Sequence, residues 1–356
     1  MKSLGNFPDP FIEEIAGQPD AIRRAAAGLG DQLPVLERLA GSVSGRTVLF
    51  TGMGSSYFAC YPAVIELARR TIAAIHVDSA ELLHFRRGLV GSSTLLVAVS
   101  QSGASAEVVR LIEGLDHGPN GPLVIGVTNG GDNALARLAT FALDTRAGVE
   151  TGPSTMTFAS SLIVLAAISR ILGGRSAPEV VSELAEEAEA AARALERQLA
   201  LPSLPEELAA WFGDRTTSVI LGRGPARAAA EMGALTLKEA VGMPIESLET
   251  AQFRHGPLEL AGPDLSAIVI ATEPETRELD VGLAGELVEA GAAVLVVTET
   301  GDAPAGATRI ELGRLDRALA PAVSILPAQL LAWKLAVLHG RQPGSYLRAA
   351  KVTTRE

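Results

Sequence analysis

Thr47-Val-Leu-Phe-Thr-Gly-Met-Gly-Ser-Ser56 decides the fold: a short β-type run breaks on two glycines, and an apolar helical pattern follows at once. A strand, a tight glycine turn and a helix are the opening of a parallel α/β unit. The same reading recurs at Ser218-Val-Ile-Leu-Gly-Arg-Gly-Pro-Ala226, with Gly52 and Gly54 aligned on Gly222 and Gly224 at an offset of 170 residues. That offset also lays Val127-Thr-Asn-Gly-Gly-Asp132 on Val297-Thr-Glu-Thr-Gly-Asp302, and a further apolar strand lies between the anchors in each half, at 95–100 and 266–272. The chain therefore reads as a duplicated unit of strand, glycine turn, helix, strand, helix, strand, helix. Strands such as Leu95-Leu-Val-Ala-Val99 are apolar without alternation, as expected in a parallel sheet covered on both faces.

Around the repeat, residues 178–200 have the composition of a long helix joining the units, and a shorter helix over about 10–29 precedes the first one. From Arg341 onward no periodic element is visible. The expected organisation is an N-terminal helix (1–30), a first domain (31–175), a connecting helix (176–203), a second domain (204–340) and a C-terminal active-site tail (341–356).

Val97-Ala-Val-Ser-Gln-Ser-Gly-Ala-Ser105 carries the first functional signal, because a β-run stops at three hydroxyls and a glycine and is followed by a helical pattern. The hydroxyls of Ser100, Ser102 and Ser105 can donate to phosphoryl oxygens, Gly103 admits close backbone approach, and the first-turn N–H groups of the next helix face the same point. A helix cap alone needs one hydroxyl, and here there are three.

Composition narrows the function classes. The 356 residues are 47% apolar and 20% charged, the balance of an ordinary globular chain with room for two cores. A net charge of −11 argues against nucleic acid or an anionic membrane as partner. No apolar run reaches the ~20 residues of a membrane span and the N-terminus lacks a signal peptide's apolar stretch, so a cytoplasmic location is expected. Cys60 is the only cysteine and reads as a small core residue, and the five histidines are scattered, so neither a disulfide nor a metal site is expected.

Gly52-Met-Gly-Ser-Ser-Tyr57 after a strand, with Asp78 closing another strand some twenty residues on, raises a dinucleotide fold. Tyr57 stands where that fold needs a small residue, while Ser55 and Ser56 suit a single phosphoryl group. The second loop, Gly222-Arg-Gly-Pro-Ala226, has no serine, so one half keeps a phosphate cradle and the other has diverged.

Together the glycine loops, Ser100-Gln-Ser-Gly103, Glu150-Thr-Gly-Pro-Ser-Thr155, Lys238-Glu239 and Arg254-His-Gly-Pro-Leu258 resemble the double SIS (sugar isomerase) family, and within it the isomerase half of the glutamine:fructose-6-phosphate amidotransferases. The likeness runs from Glu14-Ile-Ala-Gly-Gln-Pro-Asp-Ala-Ile22, similar to the family's opening helix, to Ala350-Lys351 and Glu356 at its C-terminal end. It implies two tandem SIS domains, each a parallel sheet sandwiched by helices in a flavodoxin-like three-layer α/β/α arrangement. By the resemblance Ser56, Ser100, Gln101, Ser102 and Ser105 hold a sugar 6-phosphate, and Gly54, Ser55, Ser154 and Thr155 border the sugar. Glu239 is the implied base that carries a proton between C1 and C2, His255 opens the ring, and Lys351 contacts or forms a Schiff base with the carbonyl. No cofactor is implied. A homodimer with its active site at the subunit interface is.

These residue types suit that chemistry: a carboxylate for C–H proton transfer, an imidazole for ring opening and an amine for carbonyl activation. Glu239 also lies near the end of a helix stopped by Gly242, where a carboxylate is disfavoured by the dipole and a bland role is less natural. The sequence departs from the family at Thr236, Met156 and Ala104, which stand where the pattern has a lysine, a lysine and a glutamate. Residue 2 is Lys2 and no glutaminase region with its cysteine nucleophile is seen, so glutamine-dependent synthesis is not expected of this chain alone. The expected function is a phosphosugar isomerase or deaminase acting on a hexosamine 6-phosphate or ketohexose 6-phosphate. A fructosamine-6-phosphate deglycase, a non-catalytic phosphosugar sensor and, last, a NAD-dependent dehydrogenase are the alternatives.

Overall fold

The computed structural model describes residues 9–118, 120–301 and 303–355. The readings made on residues 1–8, on Asp302 and on Glu356 lie outside the described residues. Two compact units divide the chain, each holding one five-stranded, all-parallel sheet. The first sheet uses β1 (Thr47–Thr51), β2 (Ala74–His76), β3 (Thr94–Val99), β4 (Leu123–Thr128) and β5 (Phe141–Asp144) in the order β2-β1-β3-β4-β5. The second uses β6 (Thr217–Gly222), β7 (Glu246–Leu248), β8 (Leu265–Ala271), β9 (Ala293–Thr298) and β10 (Thr308–Glu311) in the order β10-β9-β8-β6-β7. Read from β7, the second order repeats the first strand for strand.

Register refines the duplication. Val48 pairs with Leu95 in the first sheet and Ser218 with Ser266 in the second, so the central strands β3 and β8 are offset by one residue more than β1 and β6. Val99-Ser-Gln-Ser-Gly-Ala-Ser105 therefore corresponds to Ile270-Ala-Thr-Glu-Pro-Glu-Thr276. Both central strands are buried at every position, which is why neither alternates in sequence.

The first unit gathers residues 20–150, 154–189 and the C-terminal segment from Arg348. One face of its sheet meets the helices Ser79–His84, Ala106–Glu113 and Ala134–Leu138 through Leu49, Leu82, Leu96, Val108 and Leu111. On another side the helix Cys60–Arg69 packs against Met156–Leu172, a helix apolar all round and buried along its full length. Cys60 is fully buried, and desolvation pushes its thiol far above the ordinary range, consistent with an inert core residue. Asp78 does not close a strand. It follows β2 and caps the helix Ser79–His84, accepting from the Glu81 N–H at 3.0 Å, the role of an ordinary N-cap.

The second unit comprises the described residues up to Pro19, 151–153 and 190–347. Its core joins Val219, Leu221, Phe253, Val269, Leu283 and Val296. The helix Ala226–Val241 packs on Leu326–Leu338, the latter within a run, Ala320–Leu338, long and apolar enough to cross a membrane. That run is 83% buried inside the protein, as a core helix is, and its Lys334 pairs with Glu206 at 2.6 Å. The joining helix spans Ala177–Leu199, and the expected helix over 10–29 forms as two, Pro10–Ala16 and Gln18–Asp31. No helix or strand follows Leu338 among the described residues.

Candidate active site

In a sheet ordered β2-β1-β3-β4-β5 the chain leaves β1 and β3 in opposite directions, and the crevice beyond their C-terminal ends is where such folds bind ligands. In the first unit that crevice is walled by the two loops the sequence singled out. Gly52 can only be glycine: a Cβ there would stand 2.9 Å from the Val99 carbonyl oxygen, so the β1 turn lies directly on the end of β3. Gly54 takes a positive φ of 52° and opens the one-turn helix Ser55–Phe58.

Within the β3 loop, Gly103 has φ 61° and donates to the Ser100 carbonyl at 3.0 Å. A Cβ on it would fall 1.8 Å from Asn133 Oδ1, whose side chain caps the helix Ala134–Leu138 and ties back to Thr128 and Gly130. The Ser100 and Ser105 hydroxyls bond each other at 3.0 Å, and Ser102 Oγ accepts from the Ala104 N–H at 3.2 Å. The hydroxyls thus hold one another in a preset loop. Gln101 is fixed through its carbonyl, which accepts from the Asn129 N–H and the Thr128 hydroxyl.

Between the loops lies a narrow, solvent-open cavity with no enclosed volume, lined by Ser55, Ser56, Gln101, Thr157, Phe158 and Ser161. Sequence reasoning named the first three. It missed Thr157 and Ser161, which sit one helical turn apart on a mostly apolar helix; hydroxyls recurring at i and i+4 in such a run were the available signal. Ser154 and Thr155 do not line this cavity. They precede the same helix, are buried, and give their hydroxyls to Glu150 and Thr157.

Glu150 was quoted in the sequence motif without an assigned role. Its fully buried side chain accepts from the Thr155 N–H at 2.8 Å, the Thr157 N–H at 3.1 Å and the Thr155 and Thr157 hydroxyls, so it serves as the missing cap of the helix Met156–Leu172. The same carboxylate receives Lys351 Nζ at 2.7 Å. Two residues further on, the Thr353 carbonyl accepts from the Ala106 N–H at 3.1 Å, in the first turn of the helix after the serine loop. The tail therefore reaches the serine-loop region of the first unit.

Glu239 and His255 belong to the second unit. Glu239 is half-buried on the helix Ala226–Val241, which ends at Gly242 in the left-handed conformation with its N–H on the Lys238 carbonyl. Thr236 is buried on the same helix and donates to the Met232 carbonyl at 2.9 Å. His255 is exposed, in a turn bounded by Gly256 at φ 121° and steadied by the Arg254–Glu286 ion pair at 2.6 Å.

At the corresponding crevice of the second unit the loops carry paired charges. Arg223, from the β6 turn, donates to buried Asp280 at 2.8 Å and lies 3.5 Å from Glu249. Glu273 and Glu275, at the end of β8, are both bound by Arg317. Burial raises the carboxyls of Asp280 and Glu299 above the ordinary range, with Arg223 and the Leu315 N–H, respectively, acting in the opposite sense.

Comparison with known proteins agrees with this architecture. The glutamine–fructose-6-phosphate aminotransferase [isomerizing] of Pyrobaculum aerophilum is 30% identical over 364 residues, spanning 100% of this chain and 59% of its own length. The chain thus covers about three-fifths of that relative. Among solved structures, the C-terminal domain of glucosamine-fructose-6-phosphate aminotransferase from Francisella tularensis superposes with a TM-score of 0.82 at 22% identity, over 95% of this chain and 98% of that one. Glucosamine-6-phosphate deaminase from Thermotoga maritima gives a TM-score of 0.74 at 20% identity, over 96% and 99%. Residues 43–169 and 214–339 each match the SIS domain, one match on each parallel sheet, and with both halves accounted for the chain belongs to the SIS domain family.

Proposed function

We propose that the protein is a cytoplasmic phosphosugar isomerase or deaminase that moves a proton between C1 and C2 of a hexosamine 6-phosphate or ketohexose 6-phosphate, without a metal or organic cofactor. The observation that carries this reading is the small hydroxyl-lined cavity at the switch point of the first sheet, with the tail anchored beside the same loop. Serine and threonine hydroxyls together with glycine-loop amides suit one phosphoryl group, which needs many donors converging on a small volume. The names of the relatives point to fructose 6-phosphate and glucosamine 6-phosphate as the substrates to try first.

In this reading His255 opens the ring by passing a proton between the ring oxygen and the anomeric hydroxyl. Glu239 then takes the proton from C2 and returns it to C1, while the Lys351 ammonium faces the developing oxyanion at the carbonyl end. With an amino sugar the same transfer leaves an imine at C2; water adds there and ammonia departs. Ser56, Ser100, Gln101, Ser102 and Ser105 are assigned to the phosphate, and Gly54, Ser55, Ser154 and Thr155 to the surroundings of the sugar. A homodimer in which His255 serves the neighbouring protomer's site is part of the proposal.

Incubation of hexose and hexosamine 6-phosphates in deuterated water, followed by mass spectrometry and ammonia assay, tests it. Deuterium at C1 or C2, with or without ammonia, is expected. Stabilisation by these sugars with neither deuterium uptake nor product would replace the enzyme with a phosphosugar sensor, and amino-acid release from a fructosamine 6-phosphate would make it a deglycase. Mixing Glu239→Gln and His255→Asn proteins restores activity if the site is shared between protomers and leaves it absent otherwise.

A further inference from the structure

The C-terminal segment carries neither helix nor strand, yet it is placed by two contacts within the first unit, Lys351 Nζ on Glu150 at 2.7 Å and the Thr353 carbonyl on the Ala106 N–H. The two differ in strength. The backbone bond is a single neutral one near the chain end, whereas the other joins an ammonium to a carboxylate whose side chain is fully buried and already aligned by two threonines. The Lys351 side chain remains about one-fifth exposed while its ammonium is held on Glu150. Glu150 also fixes the N-terminus of the helix that supplies Thr157, Phe158 and Ser161 to the cavity.

We infer that Glu150 is the positioning residue of this site: by pairing with Lys351 it docks the C-terminal segment and sets where that ammonium meets the sugar phosphate. The inference rests on the proposed function for the identity of the ligand, but the docking of the tail stands on the contacts alone. Removing one partner of a pair whose carboxylate is buried costs far more than losing a surface ion pair, so the tail should come free without Glu150's charge. Gln at this position keeps an acceptor for the Thr155 and Thr157 N–H groups, so Glu150→Gln separates docking from helix capping.

Limited trypsin digestion followed by intact-mass measurement reads the docking, since Arg348 and Lys351 are cleavage sites within the segment. Glu150→Gln should release the tail about tenfold faster or more, with Lys351→Met releasing it at Arg348 to a similar extent, and Glu150→Asp should recover part of the protection. Thr157→Val, which loses a hydrogen bond to Glu150 but keeps the ion pair, should lower Tm and leave tail cleavage unchanged. In turnover, Glu150→Gln and Lys351→Met should lower kcat by similar factors, and combining them should add little. Tail cleavage in Glu150→Gln and Lys351→Met equal to that of the unaltered protein overturns the inference. Faster cleavage in a protein that no sugar phosphate stabilises or turns over leaves the docking standing and removes the proposed function instead.

Discussion

The two units share a strand order, a pair of glycine turns and the crevice where the order reverses, and they differ in what fills it. Where the first unit has Ser100-Gln-Ser-Gly-Ala-Ser105, the second has Ala271-Thr-Glu-Pro-Glu-Thr276. Two acids replace Ser102 and Ala104, and a proline replaces the glycine whose positive φ shapes the first loop. A phosphoryl group would meet donors in one crevice and carboxylates in the other. Arg223 and Arg317 do not rescue the second, because Asp280, Glu273 and Glu275 already engage them. The scaffold is common to both copies, with glycines at 52 and 222 demanded by a Cβ clash of 2.9 Å in each, while the loop after the central strand differs.

If phosphate holding belongs to the first unit and proton transfer to the second, Glu239→Gln should lower turnover by about 10²–10⁴-fold while sugar phosphates still raise Tm. Equal loss of stabilisation and turnover would break the division of labour. A smaller but still large effect comes from glycine. Gly103→Ala should destabilise the first unit by about 2–4 kcal/mol, because the new Cβ meets Asn133 and the positive φ is strained; Gly224→Ala, with φ 57° and its nearest neighbour 3.6 Å away, should cost about 1 kcal/mol. Melting curves showing the two variants alike would refute the difference in packing around the loops.

Replacing Ser102 and Ser105 by Ala should weaken sugar-phosphate binding by about 10–100-fold with little change in kcat, as expected for charge-assisted hydrogen bonds to a non-reacting group. The same thermal-shift titration on Thr276→Ala should show no change; a comparable loss there would mean that the second crevice also binds.

Asp280 offers a pH test. Its folded-state carboxyl lies above the ordinary value because of burial, so protonation is easier in the native state than in the unfolded chain, and the stability that protonation lends at low pH is lost as pH rises through the raised value. Asp280→Asn does not titrate, so its Tm relative to the parent should climb as pH rises above the ordinary carboxylate range, and a constant difference would contradict the buried setting described for Asp280. The smallest effect is expected at the surface: Arg254→Met, breaking the exposed pair with Glu286, should cost under about 1 kcal/mol of stability. Any larger loss of turnover would then report the position of His255 next to it.

Much of this was legible in the chain. The glycine turns, the unalternating strands and the Gly242 stop follow from local sterics, so the sequence announces them wherever they occur. The edge strands β5, β7 and β10 were not named, because three or four residues carry no decisive period and are strands only by virtue of a neighbour to pair with. The hydroxyls of Ser55 and Ser56 and the amide of Gln101 could be read as a cradle, but Thr157 and Ser161, which line the same cavity, sit on a helix that looks like plain core.

What the sequence determined by itself was the duplicated parallel architecture and the loss of the Ser55–Ser56 pair from the second half's glycine loop, since both rest on which backbone angles and side-chain donors are present. Tertiary structure alone decided that Glu150 faces Lys351 across 201 positions of chain, that the Ser100 and Ser105 hydroxyls share one hydrogen bond, and that Arg223 is committed to Asp280. Pairings of that kind depend on which loops the packed sheets bring to the same edge, and no local preference of the residues encodes it.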